Sequence, residues 1–297
     1  MMERVRKPEW LRVNPGNNAD FQATAAIVRK HGLHTICESG RCPNLGECWN
    51  RRTATFMIGG DICTRSCKFC NTRSGKPFPL DADEPQKVAE SIRLLGIRHA
   101  VITSVDRDDL PDAGAAHWVE ALRKIKELNP EITIEALIPD FRGRPELLNR
   151  VIEVRPDILS HNIETVRRLT PEVRSVARYE TSLAVLKQIA GAGIPAKSGL
   201  MLGLGETEAE VMETLSDLRE NGCTLLSIGQ YLQPSRKNIP VSAYIPPETF
   251  EQYREKALAL QFVHVESGPL VRSSYHSARF LLFSNNSLPL RTIKRDK

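Results

Sequence analysis

The 297-residue chain contains no stretch approaching the roughly 18 apolar residues of a membrane-spanning helix, which excludes a helical membrane protein. Its start, MMERVRKPEWLRV, carries basic residues but no apolar run of signal-peptide length. A soluble, cytoplasmic protein is expected, in a compartment where thiols stay reduced. Charge of one sign is scarce too: 41 Lys and Arg against 36 Asp and Glu leave a formal +5. That bias, somewhat richer at the two termini, is too mild for a nucleic-acid-binding domain and allows at most attraction to an acidic partner surface. No internal repeat or low-complexity tract is found. Cysteine is sparse outside one region, since six of the seven lie between 37 and 70 and Cys223 alone stands apart. Clustering in a reducing compartment favours metal over disulfides. Cys223 reads as a buried strand residue, because a free thiol behaves as a small hydrophobe.

CTRSCKFC, residues 63–70, puts thiols at Cys63, Cys67 and Cys70. On a helix these offsets share a face, so three buried cysteines of a core stripe would show the same spacing. Arg65 and Lys68 make a poor apolar stripe, and GGD at 59–61 is a breaker immediately upstream. The stretch therefore reads as a metal or cluster loop, with zinc as the competing occupant because it suits the same gaps. Iron–sulfur clusters usually take four thiolates. Three at this spacing would leave one iron without a protein ligand, and that vacancy would be the reactive position.

TICESGRCPNLGECWN holds a second trio, Cys37, Cys42 and Cys48. Five residues turn a helix through about 140° relative to the start, so these thiols share no helix face. Gly40, Pro43 and Gly46 are expected to break any regular element. A second metal site is the economical reading, with a structural zinc loop as its rival. The fourth ligand would come from far along the chain or from a non-protein species.

From residue 53, strand-like runs alternate with helix-period segments. Strands are expected at 53–59, 99–105, 131–139, 156–163, 194–202 and 224–231, and several of the helices end in glycine. This rhythm implies an α/β fold with a parallel sheet and right-handed crossovers. Six strands are too few to close an eight-stranded barrel. The prediction is a partial (β/α)6 TIM-like barrel over 53–235, with an N-terminal extension over 1–52 and a C-terminal extension over 236–297. The first extension should hold a helix near 20–31 capped by Asn18 or Asp20. The second should hold a helix starting near Glu248, a short strand FVHVES and a frayed basic end. In such folds the site lies at the carboxyl ends of the strands, where CTRSCKFC follows the first. Polar residues collect after the others: Ser104 and Asp106, Asp140 and Arg142, Asn162 and Glu164, Gly203 to Glu206, and Gln230. Any one of these also suits a solvated loop or a helix cap.

CTRSCKFC resembles the CxxxCxΦC signature of the radical S-adenosylmethionine enzymes, with Phe69 at the aromatic position. The resemblance implies a 4Fe-4S cluster on Cys63, Cys67 and Cys70. Its open iron would be chelated by the amino and carboxylate groups of S-adenosylmethionine, whose reductive cleavage releases a 5′-deoxyadenosyl radical. A longer series resembles the lipoyl synthase family, in that family's order and over about residues 8–276. Its blocks are CESGRCPNLGECW (37–49), GDICTRSCKFC (60–70), VITSVDRDDLPD (101–112), HNIETV (161–166), KSGLMLGLGET (197–207), SIGQYLQPS (227–235) and SGPLVRSSYH (267–276). SHNIE and YHSAR depart slightly from the commonest family spelling, and neither touches a proposed ligand.

That resemblance implies an auxiliary 4Fe-4S cluster on Cys37, Cys42 and Cys48, with a serine of the RSSY motif as fourth ligand. Ser274 is the expected one and Ser273 the alternative. Taken alone, two serines before an aromatic residue would read as a cap or turn. A hard alkoxide on iron should be displaced more easily than a thiolate, which suits a cluster that must give up sulfur. Around S-adenosylmethionine the resemblance suggests Phe69 near the adenine, and Thr103 and Ser104 near the methionine amino group. It puts Asn162 and Glu164 at the ribose, Arg174 at the carboxylate and the turn Gly203 to Glu206 alongside.

The implied reaction is sulfur insertion at C6 and C8 of an octanoyl chain on a lysine of a lipoyl carrier domain, each insertion consuming one S-adenosylmethionine. The auxiliary cluster would supply both sulfurs. Such C–H bonds carry no acidic proton, so a radical is a reasonable tool and the cofactor supplies it. Implied partners are the E2 subunits of 2-oxoacid dehydrogenases, the glycine cleavage H protein, an electron donor such as flavodoxin or ferredoxin, and an iron–sulfur carrier for cluster repair. Neither nucleic acid nor membrane is expected. The rival readings are an RNA methylthiotransferase, disfavoured by the weak charge bias and the RSSY ending, and a non-catalytic iron–sulfur or zinc protein, which would need no cofactor-length cleft.

Overall fold

The six apolar, β-branched runs all form strands in a computed structural model that describes residues 6–284 apart from 14, 15 and 17. The strands are β1 (His34–Thr35), β2 (Thr55–Ile58), β3 (Ile62–Cys63), β4 (Arg73–Ser74), β5 (His99–Ser104), β6 (Thr133–Leu137), β7 (Ile158–Ser160), β8 (Ala196–Leu202), β9 (Leu225–Gln230) and β10 (His264–Gly268). Eight make one sheet in the order β1-β2-β5-β6-β7-β8-β9-β10, with β3 and β4 paired separately. Every neighbouring pair from β2 to β10 is parallel, and β1 runs antiparallel on β2. β1 and β10 are the two edges, so the barrel stays open as expected. The run FVHVES, expected only as a short strand, extends the sheet by lying parallel to β9.

The α-helices are α1 (Ala19–Lys30), α2 (Ile36–Ser39), α3 (Leu45–Asn50), α4 (Glu84–Leu95), α5 (Ala115–Leu128), α6 (Pro145–Ile152), α7 (Thr170–Val173), α8 (Tyr179–Gly191), α9 (Glu208–Glu220), α10 (Pro247–Ala259) and α11 (Leu281–Ser284). Asn18, not Asp20, caps α1, its side chain accepting from the Phe21 N–H at 2.9 Å. Thr207 and Glu210 form a reciprocal capping box on α9. The amphipathic faces seal the sheet: Val88, Ile92 and Leu95 of α4, and Trp118, Leu122 and Ile125 of α5, are all buried. Each such side chain contributes about 1.5–3 kcal/mol on burial. Strands covered on both faces read as near-continuous apolar runs, and all of β2 and β9 is buried. Cys223 is fully buried, as expected, but lies two residues before β9 and not in a strand. Among the described residues no helix is long and apolar enough to cross a membrane. The terminal residues expected to fray lie outside the described residues.

Candidate active site

β2 is followed by Gly59 and Gly60, both at positive φ (84° and 93°), where a side chain would be strained. Their N–H groups donate to the Glu84 carboxylate, which also meets His117. This turn delivers the chain into CTRSCKFC, which is not helical, so the core-stripe reading of its spacing fails. Arg65, expected only to spoil an apolar stripe, is the staple of the loop. It is 8% exposed, donates to Asp108 at 2.7 and 3.0 Å and to Asp140 at 2.6 and 2.9 Å, and lies 3.3 Å from Asp106. A guanidinium taken this far out of water persists only when its donors are satisfied.

Cys63 Sγ accepts the Asp106 N–H at 3.3 Å and the Arg65 N–H at 3.4 Å. Cys67 Sγ lies 3.6 Å from Ser175 Oγ. Burial first, then the Asp106 charge, pushes the Cys63 thiol up to about 12, and burial pushes Cys67 up to about 11. The two also feel Cys70, so the three thiols are neighbours.

The second trio rides on two short helices joined by a turn. Cys37 lies in α2, Cys42 in the turn and Cys48 in α3. The expectation that glycine and proline would prevent regular structure is corrected here. Gly46 lies inside α3, and a Cβ on Gly16 would fall 2.3 Å from the Gly46 oxygen, so it is Gly16 that this close backbone approach requires. Burial is the first cause of raised thiols throughout, to about 11 for Cys37, to about 12 for Cys48, and upward for Cys42. Cys48 also feels Cys37 and Cys42, so this trio too is gathered.

The distant RSSY segment comes to this trio. Asn44 Nδ2 donates to the Leu270 carbonyl at 2.7 Å, and Tyr275 Oη donates to Glu47 at 3.1 Å. Between those two stitches lie Ser273 and Ser274. Ser273 is held twice, its Oγ accepting from Asn162 Nδ2 at 2.8 Å and its carbonyl from Lys197 Nζ at 2.7 Å. Ser274 Oγ makes no hydrogen bond among the described residues, and Ser274, like Ser273, belongs to the cavity wall. The close approach depends on two glycines. A Cβ on Gly199 would lie 2.7 Å from Asn162 Oδ1 and 3.1 Å from Ser273 Oγ, and one on Gly229 would lie 2.1 Å from the Val271 oxygen.

A cavity of about 350 Å³ opens at the carboxyl ends of the strands. Cys63, Cys67 and Cys70 enter its wall together with Cys37 and Cys42, and Cys48 packs behind them. Phe69, Thr103, Ser104, Asn162, Glu164 and Arg174 all line it. Thr103 Oγ1 donates to the Leu137 carbonyl at 3.2 Å, and Ser104 Oγ accepts from Trp118 Nε1 at 3.1 Å. Asn162 Nδ2 also donates to Glu164 Oε1 at 3.0 Å, and burial raises the Glu164 carboxyl. Arg174 Nη1 donates to Ser182 Oγ at 2.8 Å and to the Ile163 carbonyl at 3.1 Å. Arg142 and the turn Gly203 to Glu206 do not line the cavity; Glu206 instead accepts the Gly203 and Leu204 N–H groups of its own turn. Gln230, a cavity residue, latches the following loop through the Ala243 carbonyl and the Ile245 N–H.

Other residues of the site lie within or beside the quoted blocks but drew no role from the sequence. His161 is buried between the Ile138 carbonyl and Ser182 Oγ, both at 2.9 Å. The Ile138 carbonyl can only accept, so His161 Nδ1–H donates to it, and in the neutral ring Nε2 then accepts from the Ser182 hydroxyl, which in turn accepts from Arg174. Burial, then the Arg174 charge, lowers His161 to about 4, consistent with that neutral tautomer. Lys197 and Glu135 form a fully buried pair at 2.8 Å, and Ser160 Oγ donates to the same carboxylate. The available signal was a lysine in the apolar run IPAKSGLML and a glutamate in EITIEALIP.

Buried, closely grouped thiols with high proton affinity fit thiolate-ligated metal, because binding replaces each proton with a cation. The glycine cradle at Gly199 and Gly229 fits a segment brought in as a further ligand source. Among the described residues no three His, Cys, Asp or Glu side chains converge closely enough to hold a single metal ion.

The model of the Radical SAM superfamily matches residues 57–218. A lipoyl synthase of Parabacteroides distasonis is 61% identical over 281 residues, which is 95% of this chain and 100% of that protein. A lipoyl synthase of Porphyromonas gingivalis is 60% identical over 282 residues, covering 95% and 100%. One from Treponema denticola is 54% identical over 277 residues, covering 93% and 96%. In fold, the chain is similar to a crystal structure of methylornithine synthase, with TM-score 0.56 at 13% identity over 70% of this chain and 62% of that one. It is also similar to Streptococcus suis SuiB bound to S-adenosylmethionine, with TM-score 0.56 at 10% identity over 75% and 52%. The chain belongs to the lipoyl synthase family, within the Radical SAM superfamily.

Proposed function

We propose that this chain inserts two sulfur atoms at C6 and C8 of an octanoyl chain carried on a lysine of a lipoyl carrier domain. The observation that carries the reading is the shared cavity, whose wall holds thiols of both trios next to the residues expected around S-adenosylmethionine. Cys63, Cys67 and Cys70 would hold one 4Fe-4S cluster, and Cys37, Cys42, Cys48 and Ser274 a second. When bound, the first cluster with two S-adenosylmethionine molecules supplies the hydrogen-abstracting radicals and the second cluster supplies the sulfur.

The protein's part is binding, orientation and exclusion of water. Phe69 offers an apolar face for the adenine, and the linked pair Asn162 and Glu164 offers polar atoms for the ribose hydroxyls. Arg174, buried and held by Ser182, offers a fixed cation for a carboxylate. Thr103 and Ser104 sit at the end of β5 for the amino group. The neutral His161 holds its proton on Nδ1 and serves only to orient Ser182 and Arg174. Ser274 is favoured as ligand over Ser273 because the Ser273 hydroxyl is already engaged by Asn162.

The substrates in this reading are octanoylated E2 subunits or the glycine cleavage H protein, served by a flavodoxin or ferredoxin and by an iron–sulfur carrier that rebuilds the second cluster. Anaerobic reconstitution should give about eight irons and matching sulfide per chain, as two four-iron clusters require. Zinc without sulfide would end the reading, and about four irons with lipoyl product formed would remove the second cluster from it.

A further inference from the structure

Three loops around the mouth of the cavity are tied to one another. Arg41 Nη1 donates to the Pro234 carbonyl at 3.1 Å, Asn71 Nδ2 to the Ser39 carbonyl at 2.9 Å, and Asn238 Nδ2 to the Cys70 carbonyl at 2.7 Å. The Ile239 N–H donates to the Lys68 carbonyl at 3.0 Å. Arg41, Asn71 and Pro234 belong to the cavity wall, so these loops form its rim.

The charge on the rim has one sign. Stretches 39–46, 62–80 and 231–247 contain no Asp or Glu, in a chain whose formal excess is only +5. Arg65 is enclosed by carboxylates and Arg73 pairs with Asp61 at 2.8 Å. Arg41, Lys68, Lys76, Arg236 and Lys237 are exposed and make no ion pair among the described residues. The adjoining α7 brings Glu172, which lies near Arg168. Unpaired cations around a low-dielectric cleft focus the field toward its mouth and speed encounter with an acidic surface.

Resting on the reading under Proposed function, we infer that Arg41, Lys68, Arg236 and Lys237 form the docking rim for an acidic protein domain that feeds its acylated lysine into the cavity. An amide-linked lysine carries no charge, so it passes the cationic rim without repulsion, while acidic groups around it meet the exposed cations. Single-stranded nucleic acid fits less well. Base stacking needs several aromatic faces, and Phe78, 72% exposed, is the only large hydrophobic residue of the three loops among those that stand out into solvent in the described structure.

The test compares the reconstituted wild-type chain with Arg236→Glu/Lys237→Glu, which lies outside the thiol trios. Binding of an octanoylated acidic carrier domain is measured by calorimetry at about 50 mM and about 0.5 M salt, on either side of effective screening. Turnover of a neutral octanoyl-lysine tripeptide is measured in parallel. The expected result is about tenfold or greater weakening at low salt that vanishes at high salt, with tripeptide turnover unchanged. Unaltered affinity and salt slope in the variant would overturn the rim, as would absence of wild-type binding or tighter binding of a single-stranded RNA. Loss of all sulfur insertion by the wild type with salt-dependent binding intact would instead overturn the catalytic reading and leave the rim standing.

Discussion

Lys197 Nζ donates at 2.7 Å to the backbone carbonyl of Ser273, joining the start of β8 to the RSSY segment 76 residues later. The same ammonium meets both Glu135 oxygens at 2.8 and 2.9 Å and lies 3.8 Å from the centre of the Phe280 ring. All of the donors of a buried lysine are thereby used, two on β6 and one on the segment that carries the serines. Lys197→Met leaves Glu135 buried without its cation, which costs about 3–5 kcal/mol. In Lys197→Met/Glu135→Leu the apolar replacement restores most of that stability but not the hold on Ser273. Amide hydrogen exchange in the cluster-free chain should then show faster exchange over 270–276 with the sheet still protected. Unchanged protection there would mean that Lys197 anchors nothing.

The two serines should behave differently. Ser273→Ala loses about one hydrogen bond, roughly 0.5–1.5 kcal/mol, and should still make lipoyl product. Ser274→Ala should keep 5′-deoxyadenosine formation, lose lipoyl product and change the Mössbauer parameters of one iron in the second cluster. The reverse pattern would assign the ligand to Ser273.

Arg65→Met should destabilise the chain by about 3–5 kcal/mol, since it strands the carboxylates of Asp106, Asp108 and Asp140. Burial would raise Asp140, but Arg65 outweighs it and holds the carboxyl down at about 2, against an ordinary 3.8. A depressed carboxyl contributes stability that is present above 3.8 and lost as pH falls through 2. Denaturant unfolding of the variant should therefore show a smaller loss of stability across that acidic window than the wild type.

His161 supplies a second pH signature. Its affinity for protons falls from 6.5 to about 4 on folding, so between those values the unfolded chain binds more protons. Stability from this group is complete above 6.5 and is lost as pH falls toward 4. His161→Leu should cost about 1–3 kcal/mol at pH 7 through the unpaired Ser182 hydroxyl and Ile138 carbonyl, yet show a shallower decline between pH 6.5 and 4.5. Parallel declines in the two proteins would contradict the neutral tautomer.

Local patterning made the strands legible, because each of the six runs is apolar and bounded by breakers, and β2 and β5 to β9 fall inside the expected ranges. The first thiol trio was legible for the same reason: its spacing lies within one loop. Arg65 misled because a charged residue normally marks solvent, and only three carboxylates from elsewhere in the chain explain its burial. Lys197 and Glu135 lie 62 residues apart, and nothing local sets the register that makes them partners. Gly46 reads as a breaker in the sequence yet sits in the short helix α3, and the close approach that makes Gly16 a glycine cannot be read from either residue alone. The proposed use of a serine from RSSY as a ligand rests on family resemblance, since two serines before tyrosine carry no metal signal of their own.

The central claim, that the two thiol trios divide radical generation from sulfur supply, is tested most directly by anaerobic single turnover on an octanoyl-lysine peptide. Lipoyl product and 5′-deoxyadenosine are scored together in wild type, Cys37→Ala and Cys70→Ala. The account predicts both products from wild type, 5′-deoxyadenosine without lipoyl product from Cys37→Ala, and neither from Cys70→Ala. Lipoyl formation by Cys37→Ala at the wild-type level, or full S-adenosylmethionine cleavage by Cys70→Ala, would contradict it.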